Sequence, residues 1–276
     1  MDDADASAPD VPAVLQHSSG ERYWEIDAIR GIAILGMIFF HTLVALVMFH
    51  VIVETDTFLK YYNSYVFGTA IFVILAGAAM ILRHERMQKK GLTDRDYYVT
   101  LVNRAILLFG ISMLITLVTW IAYRVFMDSN DCIVFGFLHM LSISMLIAIP
   151  LLRFKKWNLL FGLAIISIGV FFIPNFTSPI WLFPLGIHSP EFLLHTPDYF
   201  PLFPWTGVLL LGVGLGNVFY PNGIRGFTLN YKPGKVLQAM AKLGNGTVTL
   251  FIYIIHMPVI FAILWIFSAI TGVGYL

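Results

Sequence analysis

Three histidines, His41, His139 and His256, lie inside strongly apolar stretches of this 276-residue chain. An ionisable side chain at membrane depth is costly, so it usually faces a cavity or the interior of a helix bundle. An imidazole takes and returns a proton near neutral pH, which suits general acid–base chemistry. Any one of them alone is more often a hydrogen-bonded core residue, whereas three at similar depth on three helices indicate a shared site.

A cation is expected on the helix face of the first histidine. Arg30 and His41 are 11 residues apart, which places them within about 20° of each other around an α-helix and about 16 Å apart along its axis. Arg30 would bind a phosphate-bearing ligand that enters from the cytoplasm, and His41 would act on the reactive end of that ligand. Asp27 lies near the same face. The alternative is that Arg30 only anchors the helix at the membrane surface, with Asp27 as its ion-pair partner.

A second group of cations follows the second apolar segment. Arg83 and Arg86 are one helical turn apart, and with Lys89, Lys90 and Arg104 they form a strongly positive rim. This rim is either a cradle for an anionic nucleotide cofactor or charge that serves only the membrane surface.

The composition indicates which elements position these side chains. Hydrophobic residues make up 58% of the chain and charged residues 12%, about half the charged fraction of a soluble domain. A membrane-crossing helix needs about 20 mostly apolar residues, and seven segments qualify: 32–53, 66–82, 105–123, 133–152, 157–173, 201–220 and 247–270. We therefore expect an all-α fold, a polytopic bundle of about seven transmembrane helices at residues 21–276. A disordered acidic tail at residues 1–20 precedes it.

The distribution of Lys and Arg predicts how this bundle is oriented. Fifteen of the 17 Lys and Arg residues fall on one side, and Lys60 and Arg124 fall on the other. Because cytoplasmic loops carry the excess of these residues, the N-terminus is predicted to be cytoplasmic and the C-terminus outside. The connection at 174–200 has five prolines and no Lys or Arg. It either folds back against the bundle as part of a pocket or only covers the helices.

Charge and cysteine content exclude several other classes. A net charge of +1 does not indicate a nucleic-acid-binding protein. Cys132 is the single cysteine, so it can form neither an intramolecular disulfide nor a thiolate metal cage. His188, Glu191 and His195 have helical spacing, but the surrounding prolines argue against a regular helix. We therefore expect no metal.

Several motifs, in order along the chain, resemble the heparan-alpha-glucosaminide N-acetyltransferase catalytic-domain family. The first begins with EIDAIRGIAIL at Glu25 and extends to His41. Its spacing of Arg30 and His41 is also similar to that of the related integral-membrane acyltransferase-three family. Arg83 and Arg86 are similar to the cytoplasmic arginine motif of the superfamily. Further matches to the first family are ILAGA at 74–78, DCIVFGFLH at 131–139, DYFPLFPWTG at 198–207 and IYIIHMP at 252–258.

The resemblance implies an enzyme embedded in the lipid bilayer of the cell membrane. It would move an acyl group, with acetyl favoured, from cytoplasmic acyl-CoA to a sugar or other cell-envelope acceptor reached from the other side. His41 would deprotonate the hydroxyl or amine of the acceptor or carry the acyl group briefly. His139 and His256 would orient the thioester carbonyl or stabilise its oxyanion.

The remaining site residues are implied in the same way. The cations expected to hold the phosphates of acetyl-CoA are Arg30, Arg83, Arg86 and Arg104. The residues expected to bind substrate are Asp27, Asp198 and Trp205, and the last two would shape the entrance for the acceptor.

Two other function classes stay open. A proton-coupled transporter or flippase of a small anionic or amphipathic solute would also use midplane histidines and a charged mouth. A non-catalytic scaffold would not need Arg30 and His41 on one face. Two small-residue faces, Gly110/Ser112 and Gly212/Gly216, would serve either a homodimer or the packing of the bundle.

Overall fold

The computed structural model describes residues 23–53, 56–126, 128–178 and 180–273. The tail predicted at residues 1–20 lies outside the described residues. Short 3₁₀ and π turns connect the α-helices. The α-helices of the described part are α1 (Trp24–Met48), α2 (Asp56–Lys89), α3 (Asp94–Phe126), α4 (Phe137–Ala148), α5 (Asn158–Ser167), α6 (Leu202–Phe219), α7 (Lys235–Leu243) and α8 (Gly246–Thr271).

The predicted class, an all-α polytopic membrane bundle, is confirmed. Six helical segments of the described part are long and apolar enough to cross a membrane, against seven predicted. The two numbers differ at Phe137–Asn175, a single segment here that covers the predicted spans 133–152 and 157–173. Within it, the backbone leaves helical geometry at Lys155 (φ 46°, ψ −119°), between α4 and α5.

The helix α6 packs against both α2 and α5. Glycines allow this close approach because no Cβ separates the backbones. Gly212 lies against Ile74 of α2, and Gly207 lies against Gly162 of α5. Of the two roles open for the face Gly212/Gly216, the structure therefore favours packing within the bundle.

The helices α1 and α8 lie side by side and run in the same direction. Three contacting residue pairs show this direction, because the residue numbers rise along both segments from one pair to the next. These pairs are Arg30 with Gly244, His41 with His256, and Phe49 with Phe261. Arg30 and His41 thus contact the same neighbouring segment, as expected for two residues on one helix face.

The three candidate-site arginines between the predicted spans 66–82 and 105–123 lie on helices. The helix α2 continues to Lys89 and α3 begins at Asp94, so only four residues connect them. Hydropathy marks the part of a helix at membrane depth, whereas both helices continue beyond it with polar residues. Arg83 and Arg86 therefore belong to α2, and Arg104 belongs to α3.

The connection at 174–200, predicted to be outside, folds back on itself and on the segment before α4. The Tyr199 hydroxyl donates to the Phe183 carbonyl (2.5 Å), and the Phe200 N–H donates to the Phe135 carbonyl (2.9 Å). Two 3₁₀ segments, Ile180–Leu185 and Pro190–His195, lie within this connection. None of its described residues lines the cavity described below.

Candidate functional site

A cavity of about 330 Å³ lies between α1, α2, α3, α4 and α8. Arg30, Arg83, Arg86 and Arg104 line it, so the four cations expected at one site do share one cavity. A mostly apolar wall with a few polar groups at one end is typical of a small-molecule site. Apolar residues of the wall include Phe72, Ala76, Leu108, Leu138, Leu141 and Met145.

The N-terminus of α8 lies at the arginine end of this cavity. Asn245, Gly246 and Thr247 line it, and the Asn245 side chain accepts a hydrogen bond from the Thr247 N–H (3.2 Å). The guanidinium of Arg104 lies close to Gly246. The first turn of a helix carries partial positive charge, so this turn and the arginines together suit an anionic group such as a phosphate.

Arg30 is held in place by α1 itself and by the turn before α8. Its Nη1 donates to Asp27 Oδ1 (2.9 Å) and to the Gly244 carbonyl (2.9 Å). Both Arg30 and Asp27 are 8% exposed. The ion pair that the sequence offered as an alternative role for Arg30 is therefore present. Both of its residues line the cavity.

Tyr253 lines the cavity deeper along α8. It lies seven residues beyond Gly246, which corresponds to about 10 Å along the helix axis. Its ring centroid is 5.7 Å from that of Phe137 and 5.8 Å from that of His256. The sequence alone did not identify Tyr253, although its position three residues before His256 places both on one helix face.

Two of the three predicted histidines are in contact. The ring centroids of His41 and His256 are 4.9 Å apart, with planes at 68°. Nδ1 of His41 bonds the Met37 carbonyl (2.9 Å), and Nδ1 of His256 bonds the Tyr253 carbonyl (2.7 Å). A carbonyl only accepts, so both Nδ1 atoms carry the proton, and in the neutral ring Nε2 is an acceptor. Nε2 of His256 is buried and has no hydrogen-bond partner among the described residues.

His139 has different neighbours and the opposite tautomer. It is 2% exposed and lies against the rings of Phe109 and Phe135. The Gly136 N–H donates to its Nδ1 (3.2 Å), so the ring proton is on Nε2, 3.5 Å from the Thr116 hydroxyl oxygen. These contacts hold the first turn of α4.

Asp198 and Trp205 lie next to the beginning of α4 and α6. Asp198 Oδ2 accepts a hydrogen bond from the Phe137 N–H (3.3 Å). Burial raises the pKa of the Asp198 carboxyl to about 6, although this hydrogen bond acts in the opposite direction. Trp205 is 7% exposed and packs on Phe200, so its indole belongs to the core more than to an exposed entrance.

A clamp at the start of α1 was not expected from the sequence. Arg225 donates from Nε and Nη2 to the two carboxylate oxygens of Glu25, each at 2.9 Å. The Tyr220 hydroxyl donates to the same carboxylate (3.1 Å), and the Tyr23 hydroxyl donates to the Gly223 carbonyl (2.7 Å). Since Tyr23 lines the cavity, this clamp fixes one side of it. Residues 200 positions apart give no local signal of such a contact.

Comparison with known proteins gives one match. The family model described as heparan-alpha-glucosaminide N-acetyltransferase, catalytic, matches residues 22–258. The match includes all the arginines and histidines described above. No curated protein and no solved structure shows a significant match to the chain.

Proposed function

The chain belongs to the heparan-alpha-glucosaminide N-acetyltransferase catalytic family, and on this premise we propose that it is an acyl-CoA-dependent acetyltransferase. It takes an acetyl or other short acyl group from cytoplasmic acyl-CoA. It delivers this group to a hydroxyl or amine, such as that of a sugar, reached from the other side of the cell membrane. The family resemblance predicted from the sequence is confirmed, and the family is one of membrane acetyltransferases.

The observation that carries the proposal is the polarity of one cavity. Four arginines and the N-terminus of α8 line its charged part, and apolar side chains line the remainder as far as Tyr253. Acyl-CoA has the same polarity, with phosphates at one end and an uncharged thioester at the other. A cavity of about 330 Å³ would take the thioester arm, and the nucleotide would remain at the arginines.

The donor is bound by charge at one end and by apolar contact along the arm. Arg83, Arg86 and Arg104 bind the phosphates, where a guanidinium offers paired donors to two oxygens. Arg30 is oriented by Asp27, and both residues line the cavity, whereas His41 and His256 are not among its described lining residues. The contacts of Asp27 support this orienting role and not the direct substrate binding expected from the sequence.

The chemistry is proposed for the two histidines in contact. His41 Nε2 is an acceptor, as a general base requires, and it takes the proton of the acceptor hydroxyl or amine. The acceptor atom then attacks the thioester carbonyl carbon, the C–S bond breaks, and the proton passes to the sulfur of CoA. His256 supplies a second acceptor beside His41, which can share this proton. His139 and Asp198 position the start of α4 on the side of the acceptor.

A double-label experiment separates transfer from transport. Acetyl-CoA that carries one isotope in the acetyl group and another in CoA is added outside liposomes containing the protein and loaded with glucosamine. A transferase delivers the acetyl label to the lumen in a product separable from CoA, and the CoA label stays outside. His41→Gln abolishes this delivery. Entry of both labels in equal amounts would identify a carrier and contradict the proposal.

A further inference from the structure

Tyr253 combines a place in the cavity lining with a hydroxyl that is not bonded to the described part of the protein. Four buried or half-buried tyrosines donate to a protein oxygen: Tyr23 to Gly223, Tyr97 to Met80, Tyr199 to Phe183 and Tyr220 to Glu25. The half-buried Tyr98 and Tyr123 show no such bond to a described residue, but they do not line the cavity. No hydrogen bond joins the Tyr253 hydroxyl to another residue in the described part of the chain, although the Asp198 carboxylate is near enough to interact with it electrostatically. Buried polar groups are almost always paired, so a hydroxyl left unpaired in a cavity wall is suited to a ligand.

The proposed reaction needs a hydrogen-bond donor at the depth of Tyr253. Attack on a thioester moves negative charge onto the carbonyl oxygen, and acyl-transfer enzymes place donors at that oxygen. His41 and His256 present acceptors at Nε2, because their ring protons are on Nδ1. They therefore act on the proton of the acceptor and leave the carbonyl oxygen without a donor.

No other polar residue of the cavity wall offers this donor at the same depth. The remaining polar side chains among the described lining residues belong to the arginines, the start of α1 and the first turn of α8. Of these, Thr249 lies nearest to Tyr253 along α8, and its hydroxyl donates to the Leu243 carbonyl (3.0 Å). The ring of Tyr253 is fixed between Phe137 and His256, which limits the directions that its hydroxyl can take.

We propose that Tyr253 is a catalytic residue whose hydroxyl binds the thioester carbonyl oxygen and stabilises the oxyanion formed during acyl transfer. The inference rests on the proposed function. As the acceptor oxygen or nitrogen forms its bond to the carbonyl carbon, the C=O electron pair moves onto the oxygen that Tyr253 binds. The pair returns when the C–S bond breaks, the sulfur takes the proton held by His41, and Tyr253 keeps its own proton throughout.

Binding of two CoA derivatives tests this role without an acceptor. Acetyl-CoA has the carbonyl, whereas S-ethyl-CoA is a thioether of nearly the same size without it. One hydrogen bond to the carbonyl predicts that the wild type prefers acetyl-CoA by about 2- to 10-fold in Kd by titration calorimetry. Tyr253→Phe is expected to bind S-ethyl-CoA like the wild type, which shows that it is folded, and to lose the preference.

A matched variant controls for the loss of a buried hydroxyl. Tyr97→Phe removes a hydroxyl that donates to the backbone carbonyl of Met80. Met80 lines the cavity but Tyr97 does not, so this variant should keep the preference. In the double-label assay, Tyr253→Phe should lower kcat about 100-fold or more, and KM for acetyl-CoA should rise by no more than the loss of about 2- to 10-fold in Kd.

Three outcomes distinguish failure of this inference from failure of the function. If the wild type binds neither derivative, the proposed function fails and the role of Tyr253 fails with it. If both derivatives bind equally to the wild type, or Tyr253→Phe keeps the preference, the donor site stands and the role of Tyr253 is overturned. Loss of the preference in Tyr97→Phe as well would also overturn it, because the effect would then be one of packing.

Discussion

At the scale of single residues, the protonated nitrogen of each histidine distinguishes residues that the sequence treats alike. His41 and His256 are bonded through Nδ1 to helix carbonyls, so both offer Nε2 as an acceptor. In His139, Nδ1 accepts from the Gly136 N–H. His41 is therefore suited to take a proton from a substrate, and His256, whose Nε2 is buried beside the His41 ring, is suited to share that proton. His139 is suited to hold the first turn of α4.

Substitution of individual histidines should separate these roles. His41→Gln removes the basic ring nitrogen that takes up the proton, and it should lower turnover about 100-fold or more without changing the affinity for acetyl-CoA. His139→Gln should lower the melting temperature and reduce turnover by a much smaller factor. Calorimetry, thermal unfolding and the double-label assay measure the three quantities. Equal losses of turnover in both variants at unchanged stability would contradict this assignment.

The pKa of Asp198 predicts a pH dependence of stability. Burial raises this pKa from an ordinary 3.8 to about 6, so the folded protein holds the proton more tightly than the unfolded chain. Its contribution to stability is therefore fully present below about pH 4 and is lost as the pH rises through about 6. Asp198→Asn removes this loss and keeps an oxygen for the Phe137 N–H.

The melting temperature of Asp198→Asn relative to the wild type should accordingly rise between pH 4 and pH 7. Thermal unfolding in detergent at several pH values measures this difference. A difference that stays constant over this range would show that the carboxyl does not titrate there.

At the scale of helices, close packing around α6 depends on positions without a Cβ. A Cβ at Gly212 would collide with the backbone of Ile74, whereas a Cβ at Gly110 of α3 would meet no atom within 4 Å. Gly212→Ala should therefore destabilise the bundle. Gly110→Ala, a matched control in another membrane helix, should leave stability unchanged or raise it slightly because alanine favours the helix. Thermal unfolding of both variants tests this, and equal effects would contradict the packing.

The parallel arrangement of α1 and α8 predicts the number of membrane crossings. Successive spans cross the membrane in opposite directions. If the first and the last span run in the same direction, the total number of spans is therefore odd. Six spans would make them antiparallel. The break at Lys155 supplies the missing reversal if α4 and α5 cross separately, which gives seven.

Cysteine labelling from one side of the membrane tests whether α4 and α5 cross it separately. In a Cys132→Ser background, Lys155→Cys should react with an impermeant maleimide only after the cells are opened. Asp128→Cys, in the connection between α3 and α4, should react in intact cells. Reaction of both positions under the same condition would contradict seven crossings.

The sequence predicts the parts of this fold that depend on local composition and spacing. Apolar segments identify the helices, and the 11-residue spacing places Arg30 and His41 on one face. The amphipathic helix α7 escapes such a search because its nine residues are too short and too polar for a span. The contact of His41 with His256, the clamp between Glu25 and Arg225, and the depth of Tyr253 depend on the register of distant helices, which no local pattern contains.

At the scale of the whole molecule, the charged and reactive groups are separated along the bundle. The arginines and the N-terminus of α8 lie at the end that the Lys and Arg distribution predicts to be cytoplasmic. Asp198 and the connection at 174–200 contact the segment at the beginning of α4, at the end that the same distribution predicts to be outside. This arrangement suits a donor and an acceptor that approach the same histidines from different compartments, and it makes the arginine cavity the central element of the account.

The affinity for acetyl-CoA tests most directly whether the arginine cavity binds the donor. Purified protein should bind acetyl-CoA with a micromolar Kd by titration calorimetry. Arg83→Ala/Arg86→Ala, which removes two cations of the cavity lining, should abolish measurable binding. Lys89→Ala/Lys90→Ala removes the same charge from residues outside that lining and should change Kd by less than about threefold, since exposed charges are screened by salt. Absence of binding by the wild type, or equal weakening by the two double variants, would contradict a donor site in this cavity.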